Sequence, residues 1–174
     1  MKSIKQKEAN EMTDEQMIES KDVTLAELFH DFFAVPDYQR EYVWSEDDEE
    51  QVEQLFNDIY GEFLNQERSG NSEYFIGSIV VCKPGDVFEL IDGQQRMTTA
   101  YLFLCAVRDY LKEMNVGPIE VVEQQIRGSS VDNEGNSVYR YRVELQYEDS
   151  RDVLKQIASG KILSEGTEGT RSTK

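Results

Sequence analysis

The amino-acid sequence predicts an α+β domain, and three observations support this prediction. A run rich in β-branched residues, Tyr74–Cys82, precedes a Pro-Gly turn and a second apolar run, Val87–Ile91, which is typical of a β-hairpin. Apolar residues then recur at intervals of three and four, as in a helix: Met97, Ala100, Leu104, Val107, Leu111 and Met114. Further on, Tyr139–Gln146 alternates apolar and polar residues as in a strand. Such a mixture of strands and helices is typical of α+β folds.

Shorter elements precede and follow these three. Thr24 and Glu27 form the pattern of a capping box, so a short helix is expected there. Phe33–Pro36 is expected to be extended, because Pro36 disfavours a helical conformation in the residue before it. Ser45 resembles the start of a second helix, whose apolar face follows at helical spacing: Val52, Leu55, Phe56, Ile59 and Phe63. Residues 119–127 fit a strand or a helix equally well. Ser150 is expected to cap a last helix that buries Val153, Leu154 and Ile157.

The chain has 174 residues, which fits one domain with loose ends. Residues 1–20 are polar and are expected to form an arm, and residues 21–158 hold the patterns of a folded domain. Residues 159–174 are rich in Gly, Ser and Thr, and are expected to be a disordered tail.

Charge and composition narrow the classes of function. The formal net charge is -17, which argues against a broad nucleic-acid-binding face. Ten acids and no Lys or Arg lie between Glu41 and Glu67, which indicates a solvated helix face or, as the alternative, a docking surface for a basic partner. Cys82 and Cys105 lie in apolar runs and are expected to be buried free thiols. Neither a zinc signature, a membrane span nor a signal peptide is visible, so a cytoplasmic protein is expected.

The stretch "IDGQQRMTT", from Ile91 to Thr99, is the strongest candidate for a functional site. It joins an apolar strand to the apolar helix, and a helix N-terminus attracts anions through its unpaired N–H groups. Gly93 allows the backbone to bend and to approach a ligand, and Arg96 offers a planar charged fork for phosphate oxygens. Asp92 beside a phosphate indicates Mg²⁺ coordination or the orientation of an attacking water. The structural alternative is an ordinary turn in which Asp92 caps the helix and Arg96 pairs with an acid.

Other polar residues of this stretch could add to the same site. Gln94 and Gln95 can hydrogen-bond a base, a sugar or a water, and Thr98 and Thr99 can donate from the first helical turns.

Two further segments could contact the same ligand. Tyr38, Gln39 and Arg40 follow the extended Phe33–Pro36 segment, and the neighbouring aromatic residues could stack on a base or pack on the arginine. Gly77 and Ser78 lie in the run that is predicted to be a buried strand. Because glycine weakens a strand, another group is expected to come close to Gly77.

These segments together resemble a known protein family. The stretches "VPDYQREYVW", "YFIGSIVV" and "IDGQQRMTT", with "YRYRVELQYED" after them, are similar to the N-terminal domain of GmrSD-type modification-dependent restriction endonucleases. The similarity extends from Val23 to Ile157. It implies a ParB/sulfiredoxin-like fold, with a small mixed sheet and a central buried helix after the Asp-Gly-Gln-Gln-Arg turn.

The resemblance also implies a function and a set of site residues. In that family the Asp-Gly-Gln-Gln-Arg segment is associated with binding and hydrolysis of nucleoside triphosphates, coupled to restriction of modified phage DNA. Carried over, the catalytic residues are Asp92, Gln94, Gln95 and Arg96, with Asp92 also as the Mg²⁺ ligand. The nucleotide, GTP or ATP, would further contact Tyr38, Gln39, Arg40, Ser78, Gly93, Thr98 and Thr99. DNA would be bound through other domains, among them a C-terminal nuclease domain or partner with a His-Asn-His centre. The resemblance therefore also implies that this chain is truncated from a longer protein.

Two rival functions remain open on the sequence alone. A ParB-like DNA-binding or nuclease domain would contact a nucleic-acid backbone through Arg40, Arg140 and Arg142. A non-catalytic interaction domain would dock a basic partner through the acidic helix that follows Ser45.

Overall fold

The computed structural model describes residues 19–38, 49–70, 73–131 and 134–160. Within these residues lie five helices and six strands, which we number in chain order. The helices are α1 (Leu25–Leu28), α2 (Glu49–Ser69), α3 (Gln94–Met114), α4 (Ile119–Ile126) and α5 (Glu148–Ala158). The strands are β1 (Phe33–Val35), β2 (Val80–Cys82), β3 (Phe88–Asp92), β4 (Arg127–Val131), β5 (Ser137–Tyr141) and β6 (Val143–Leu145).

Four strands form a mixed sheet in the order β2-β3-β1-β6. Strand β1 lies parallel to both β3 and β6, with Phe33 opposite Phe88 on one side and Val143 on the other. Strands β2 and β3 form the antiparallel hairpin, and β4 and β5 form a separate two-stranded sheet. The three parallel strands therefore all end at the same edge of the main sheet.

Helix α3 supplies much of the apolar core. Met97, Tyr101 and Cys105 are fully buried on one face of this helix and belong to the same cluster as Leu90 of β3 and Val143 of β6. The Tyr101 hydroxyl donates a hydrogen bond of 2.8 Å to the backbone oxygen of Ile126, which satisfies the polar end of a buried ring. Burial raises the pKa of the Cys105 thiol to about 12, so this thiol is inert at neutral pH.

The structure confirms the α+β class and several predicted elements. Thr24 and Glu27 form both hydrogen bonds of a capping box at the start of α1. The hairpin and the long helix after it are present, and that helix ends where Asn115 adopts the left-handed conformation at φ 51°. The ambiguous residues 119–127 form a helix up to Ile126. The narrower ParB/sulfiredoxin-like assignment stays a prediction.

Other predictions about the elements are wrong. The run Tyr74–Cys82 is strand only from Val80 onward, and Phe75 is 78% exposed rather than buried. Gly77 breaks the extended run, because it lies at φ +101°, outside the strand region. Cys82 is exposed, since β2 is a partly solvated edge strand.

Further corrections concern the later elements. The predicted single strand Tyr139–Gln146 is divided at Arg142 into β5 and β6, which belong to different sheets. Tyr147, not Ser150, is the residue before the first turn of α5. Helix α3 buries Tyr101 and Cys105, whereas Phe103 in its middle is 37% exposed. Predictions that concern residues 1–18, 39–48 and 161–174, including Gln39, Arg40 and Ser45, lie outside the described residues.

Candidate functional site at the carboxyl edge of the sheet

The sheet topology brings two of the predicted segments to one edge. Because β1 and β3 are adjacent and parallel, the residues that follow them meet at the same edge of the sheet. Tyr38, which comes shortly after β1, is 69% exposed there, and Asp92 and Gly93 stand at the end of β3. Gln39 and Arg40 follow Tyr38 directly in the sequence but lie outside the described residues.

Two helices begin at this edge. Helix α3 starts immediately after β3, and α5 starts shortly after β6, the third parallel strand. The N-terminus of a helix carries unpaired N–H groups and the positive end of the helix dipole. The carboxyl edge of this sheet therefore holds two helix N-termini, those of α3 and α5.

Gly93 makes the sharp turn from β3 into α3. It is the N-cap residue of α3, at φ 88° and ψ 15°, and its carbonyl accepts the first helical hydrogen bond from Met97 at 2.9 Å. A Cβ at this position would stand 3.0 Å from Cγ1 of Ile79 and 3.2 Å from the backbone oxygen of Ser78. Both the backbone conformation and the lack of space therefore require glycine.

Arg96 lies against the backbone of Gly77. A Cβ at Gly77 would collide with the Nη1 atom of Arg96 and would stand 3.2 Å from its Cζ, so the guanidinium occupies the space of the missing side chain. The expectation that a group comes close to Gly77 is thus confirmed, and the group is the arginine of the Asp-Gly-Gln-Gln-Arg segment. The Arg96 side chain remains 31% exposed, so solvent or a ligand can reach it.

The ion pair expected for an ordinary turn, between Arg96 and an acid, is also present. The Nη2 atom of Arg96 lies 3.6 Å from Oδ2 of Asp92, whose side chain is 70% exposed. Exposed ion pairs contribute about 0–1 kcal/mol, so this pairing leaves the guanidinium available to a stronger anion. Asp92 does not cap α3, because the N-cap is Gly93 and no side chain bonds to the first turn from that position.

The remaining predicted site residues differ in accessibility. Ser78 is exposed next to the Gly93 turn, and Gln94 and Gln95 are half-buried in the first turn of α3. Thr98 and Thr99 are only 2% and 5% exposed, so their side chains belong to the protein interior.

The residues present are compatible with Mg²⁺ only together with a ligand. In the described part of the chain, no three His, Cys, Asp or Glu side chains cluster closely enough to hold a metal ion. Magnesium, however, is commonly held by one or two carboxylates together with substrate phosphates. The exposed carboxylate of Asp92 fits that single role.

Two arginines, the buried Arg108 and the half-buried Arg142, make structural contacts that the sequence patterns did not predict. Arg108 is fully buried and donates to the backbone oxygens of Ile157 and Ala158 at the end of α5, and it also pairs with Asp109. Its burial could have been predicted from its position three residues after Cys105, which places it on the buried face of α3. Arg142 donates to the backbone oxygens of His30 and Gln124 and packs 4.4 Å from the Phe32 ring centroid.

Comparison with known proteins places these features in a family. No helix in the described ranges is both long and apolar enough to cross a membrane. A comparison with curated proteins returned no match. The family model described as the GmrSD restriction endonuclease, N-terminal domain, matches residues 16–171, and this range includes the Gly77 and Arg96 contact and the whole β-sheet. The chain therefore belongs to the family of GmrSD restriction endonuclease N-terminal domains.

Proposed function

We propose that this domain binds and hydrolyses a nucleoside triphosphate, GTP or ATP with Mg²⁺, as part of a modification-dependent restriction system directed against phage DNA. One observation carries the proposal. The guanidinium of Arg96 is positioned on the backbone of Gly77, at the N-terminus of a buried helix, and is still partly exposed. A guanidinium beside the N-terminus of a helix suits the oxygens of a phosphate chain.

Each residue of the segment has a role in this proposal. Arg96 and the first N–H groups of α3 hold phosphate oxygens, while Gln94 and Gln95 orient the nucleotide or the attacking water. Asp92 holds Mg²⁺ or positions that water, and it is released from Arg96 when phosphate takes its place. A bound Mg²⁺ would neutralise charge on the phosphates. Arg40, two residues after Tyr38, would add a second positive charge from the end of β1.

Phe75 is suited to hold the base. Its side chain is 78% exposed, and it stands two residues before Gly77, so the two Cα atoms are at most about 7.6 Å apart. A phenyl ring at that distance can stack on a base whose phosphates contact Arg96. Such stacking contributes about 1–3 kcal/mol per base.

The test separates the phosphate contacts from the base contact. We would measure affinities for GTP, ATP and inorganic tripolyphosphate, each with Mg²⁺, by calorimetry and by the shift in melting temperature. Arg96→Ala should weaken the binding of all three by about 1.5–3 kcal/mol and remove the nucleotide-dependent shift. Phe75→Ala should weaken GTP or ATP by about 1–3 kcal/mol and leave tripolyphosphate unchanged.

Two matched variants serve as controls. Lys83→Ala removes a positive charge at the opposite end of β3, where the lysine packs 4.4 Å from the Phe88 ring centroid. Tyr139→Ala removes a ring that is 68% exposed on the separate hairpin. Neither should change the three affinities. Melting shifts that are the same in Arg96→Ala and in the unaltered protein would refute the phosphate site.

A further inference from the structure

The surface of α2 and α3 carries two exposed apolar stripes that the nucleotide site does not use. On α2, Phe56, Tyr60 and Phe63 are spaced as one helix face and are 39%, 61% and 54% exposed. On α3, Phe103, Tyr110 and Met114 also share one face and are 37%, 60% and 53% exposed. Scattered exposed apolar residues are ordinary, but aligned rows of large side chains on neighbouring helices indicate an interaction site.

The two stripes are joined. The rings of Phe56 and Phe103 lie 5.5 Å apart between centroids, so α2 and α3 meet at these residues. The Tyr74 hydroxyl donates to Oδ2 of Asp58 at 3.2 Å, which connects α2 to the segment before Gly77. We name the two stripes, which touch at this ring pair, the α2–α3 surface: Phe56, Tyr60, Phe63, Phe103, Tyr110 and Met114.

The charges around this surface are predominantly negative. Helix α2 carries six acids and one base, Arg68. Glu53 lies one turn before Phe56, and Glu113 lies one turn after Tyr110, so exposed acids flank both stripes. A second copy of the chain would bring acid against acid, and the net charge of -17 opposes self-association further. A partner with Lys and Arg beside its apolar residues would be attracted instead.

We infer that the α2–α3 surface binds a basic amphipathic helix of a partner protein. Its apolar side chains would pack along the two stripes, and its Lys and Arg side chains would pair with the flanking acids, as in other complexes that place a helix in a groove. Aromatic residues at the centre of such a surface supply most of the binding free energy. The inference does not depend on nucleotide binding.

The experiment uses the whole chain and synthetic 18-residue peptides, with binding followed by fluorescence anisotropy. One peptide has leucines at helical spacing and lysines elsewhere, a second has the same composition in scrambled order, and a third replaces lysine by glutamate. We expect the patterned Leu/Lys peptide to bind at least tenfold more tightly than either of the others. The double variant Tyr60→Ala/Phe63→Ala should weaken that binding at least tenfold, whereas Tyr139→Ala should leave it unchanged.

Several results would overturn the inference. Equal affinity for the patterned and scrambled Leu/Lys peptides would mean that charge alone attracts them, and this comparison needs no variant to fold. An unchanged affinity in the double variant, with its circular dichroism spectrum intact, would place the peptide elsewhere. A dimer of the unaltered protein in sedimentation that the double variant abolishes would make a second copy the occupant.

Discussion

The guanidinium of Arg96 occupies the space that a side chain at Gly77 would need. Gly77 comes from the irregular segment before β2, and Arg96 comes from the first turn of α3, so the contact joins the two sides of the candidate site. The missing side chain thereby leaves room for the arginine. Glycine in this segment is consequently as much a part of the site as the charged residue that it supports.

Gly77→Ala should reproduce the binding defect of Arg96→Ala. The added methyl group would collide with Nη1 of Arg96 and displace the guanidinium, so affinity for tripolyphosphate with Mg²⁺ should fall by about 1.5–3 kcal/mol. Calorimetry on the folded variant checks this. Gly135→Ala is the matched control, because it imposes a similar positive φ of +86° with no atom within 4 Å. Unchanged binding in Gly77→Ala would mean that the position of Arg96 does not matter.

Gly93→Ala should lower stability more than Gly135→Ala does. Both substitutions force a left-handed conformation on alanine, at a cost of about 1–2 kcal/mol, but only Gly93 also faces the atoms of Ile79 and Ser78 at 3.0–3.2 Å. Urea unfolding of the two variants measures the difference. Equal losses of unfolding free energy would indicate that the β3–α3 turn relaxes without strain.

The sequence predicted the centre of the site better than its surroundings. Gly93 and Arg96 could be placed because a strand, a glycine and a long helix follow one another, and this order alone puts them at a helix N-terminus. The composition of Tyr74–Cys82 indicated a strand, but β-branched residues also occur in irregular segments, and Gly77, at φ +101°, lies in contact with Arg96. That contact connects residues 19 positions apart and leaves no local pattern.

The division of the last strand has a similar cause. The alternation of Tyr139, Tyr141, Val143 and Leu145 continues through both β5 and β6, so the pattern gives no sign of a break. The break occurs because the Arg142 N–H donates to the backbone oxygen of Ile126 at 2.9 Å, which is a tertiary contact. Thr98 and Thr99 also could not be assigned from the sequence. A threonine hydroxyl can contact a ligand or bond within the protein interior, and only the structure shows that both residues are buried.

Arg142→Met should destabilise the fold rather than weaken DNA binding. The substitution removes two hydrogen bonds from a charged donor to the backbone oxygens of His30 and Gln124, at a cost of about 1.5–3 kcal/mol in unfolding free energy. Arg140→Met is the control, because Arg140 pairs with Glu144 at 3.8 Å near the surface, which contributes about 0–1 kcal/mol. Urea titrations compare them. Equal stability of the two variants, with a shared loss of DNA binding at low salt, would support the DNA-binding alternative.

Glu123 should make the stability of the protein depend on pH in the acid range. Burial by itself raises the pKa of the Glu123 carboxyl, but the hydrogen bond from Lys112 and the charges of Arg127 and Arg108 outweigh it, so the pKa is lowered. The Nε atom of Arg127 lies 2.8 Å from Oε2 of Glu123, and that of Arg108 lies 3.9 Å from Oε1. This cluster connects α3 and α4 to the start of β4.

The direction of the pH effect follows from the lowered pKa. A carboxyl that is more acidic in the folded state stabilises the protein above its unfolded pKa, about 4.3, and loses this contribution as the pH falls through the folded value. Glu123→Gln should therefore be less stable than the unaltered protein at pH 7 and pH 5, and the difference should shrink between pH 4 and pH 3. Urea unfolding at these pH values measures the difference in unfolding free energy between the two proteins. The other carboxyl groups are the same in both, so their contributions to the pH dependence cancel. A difference that stayed constant down to pH 3 would mean that Glu123 does not lose its ion pairs on protonation.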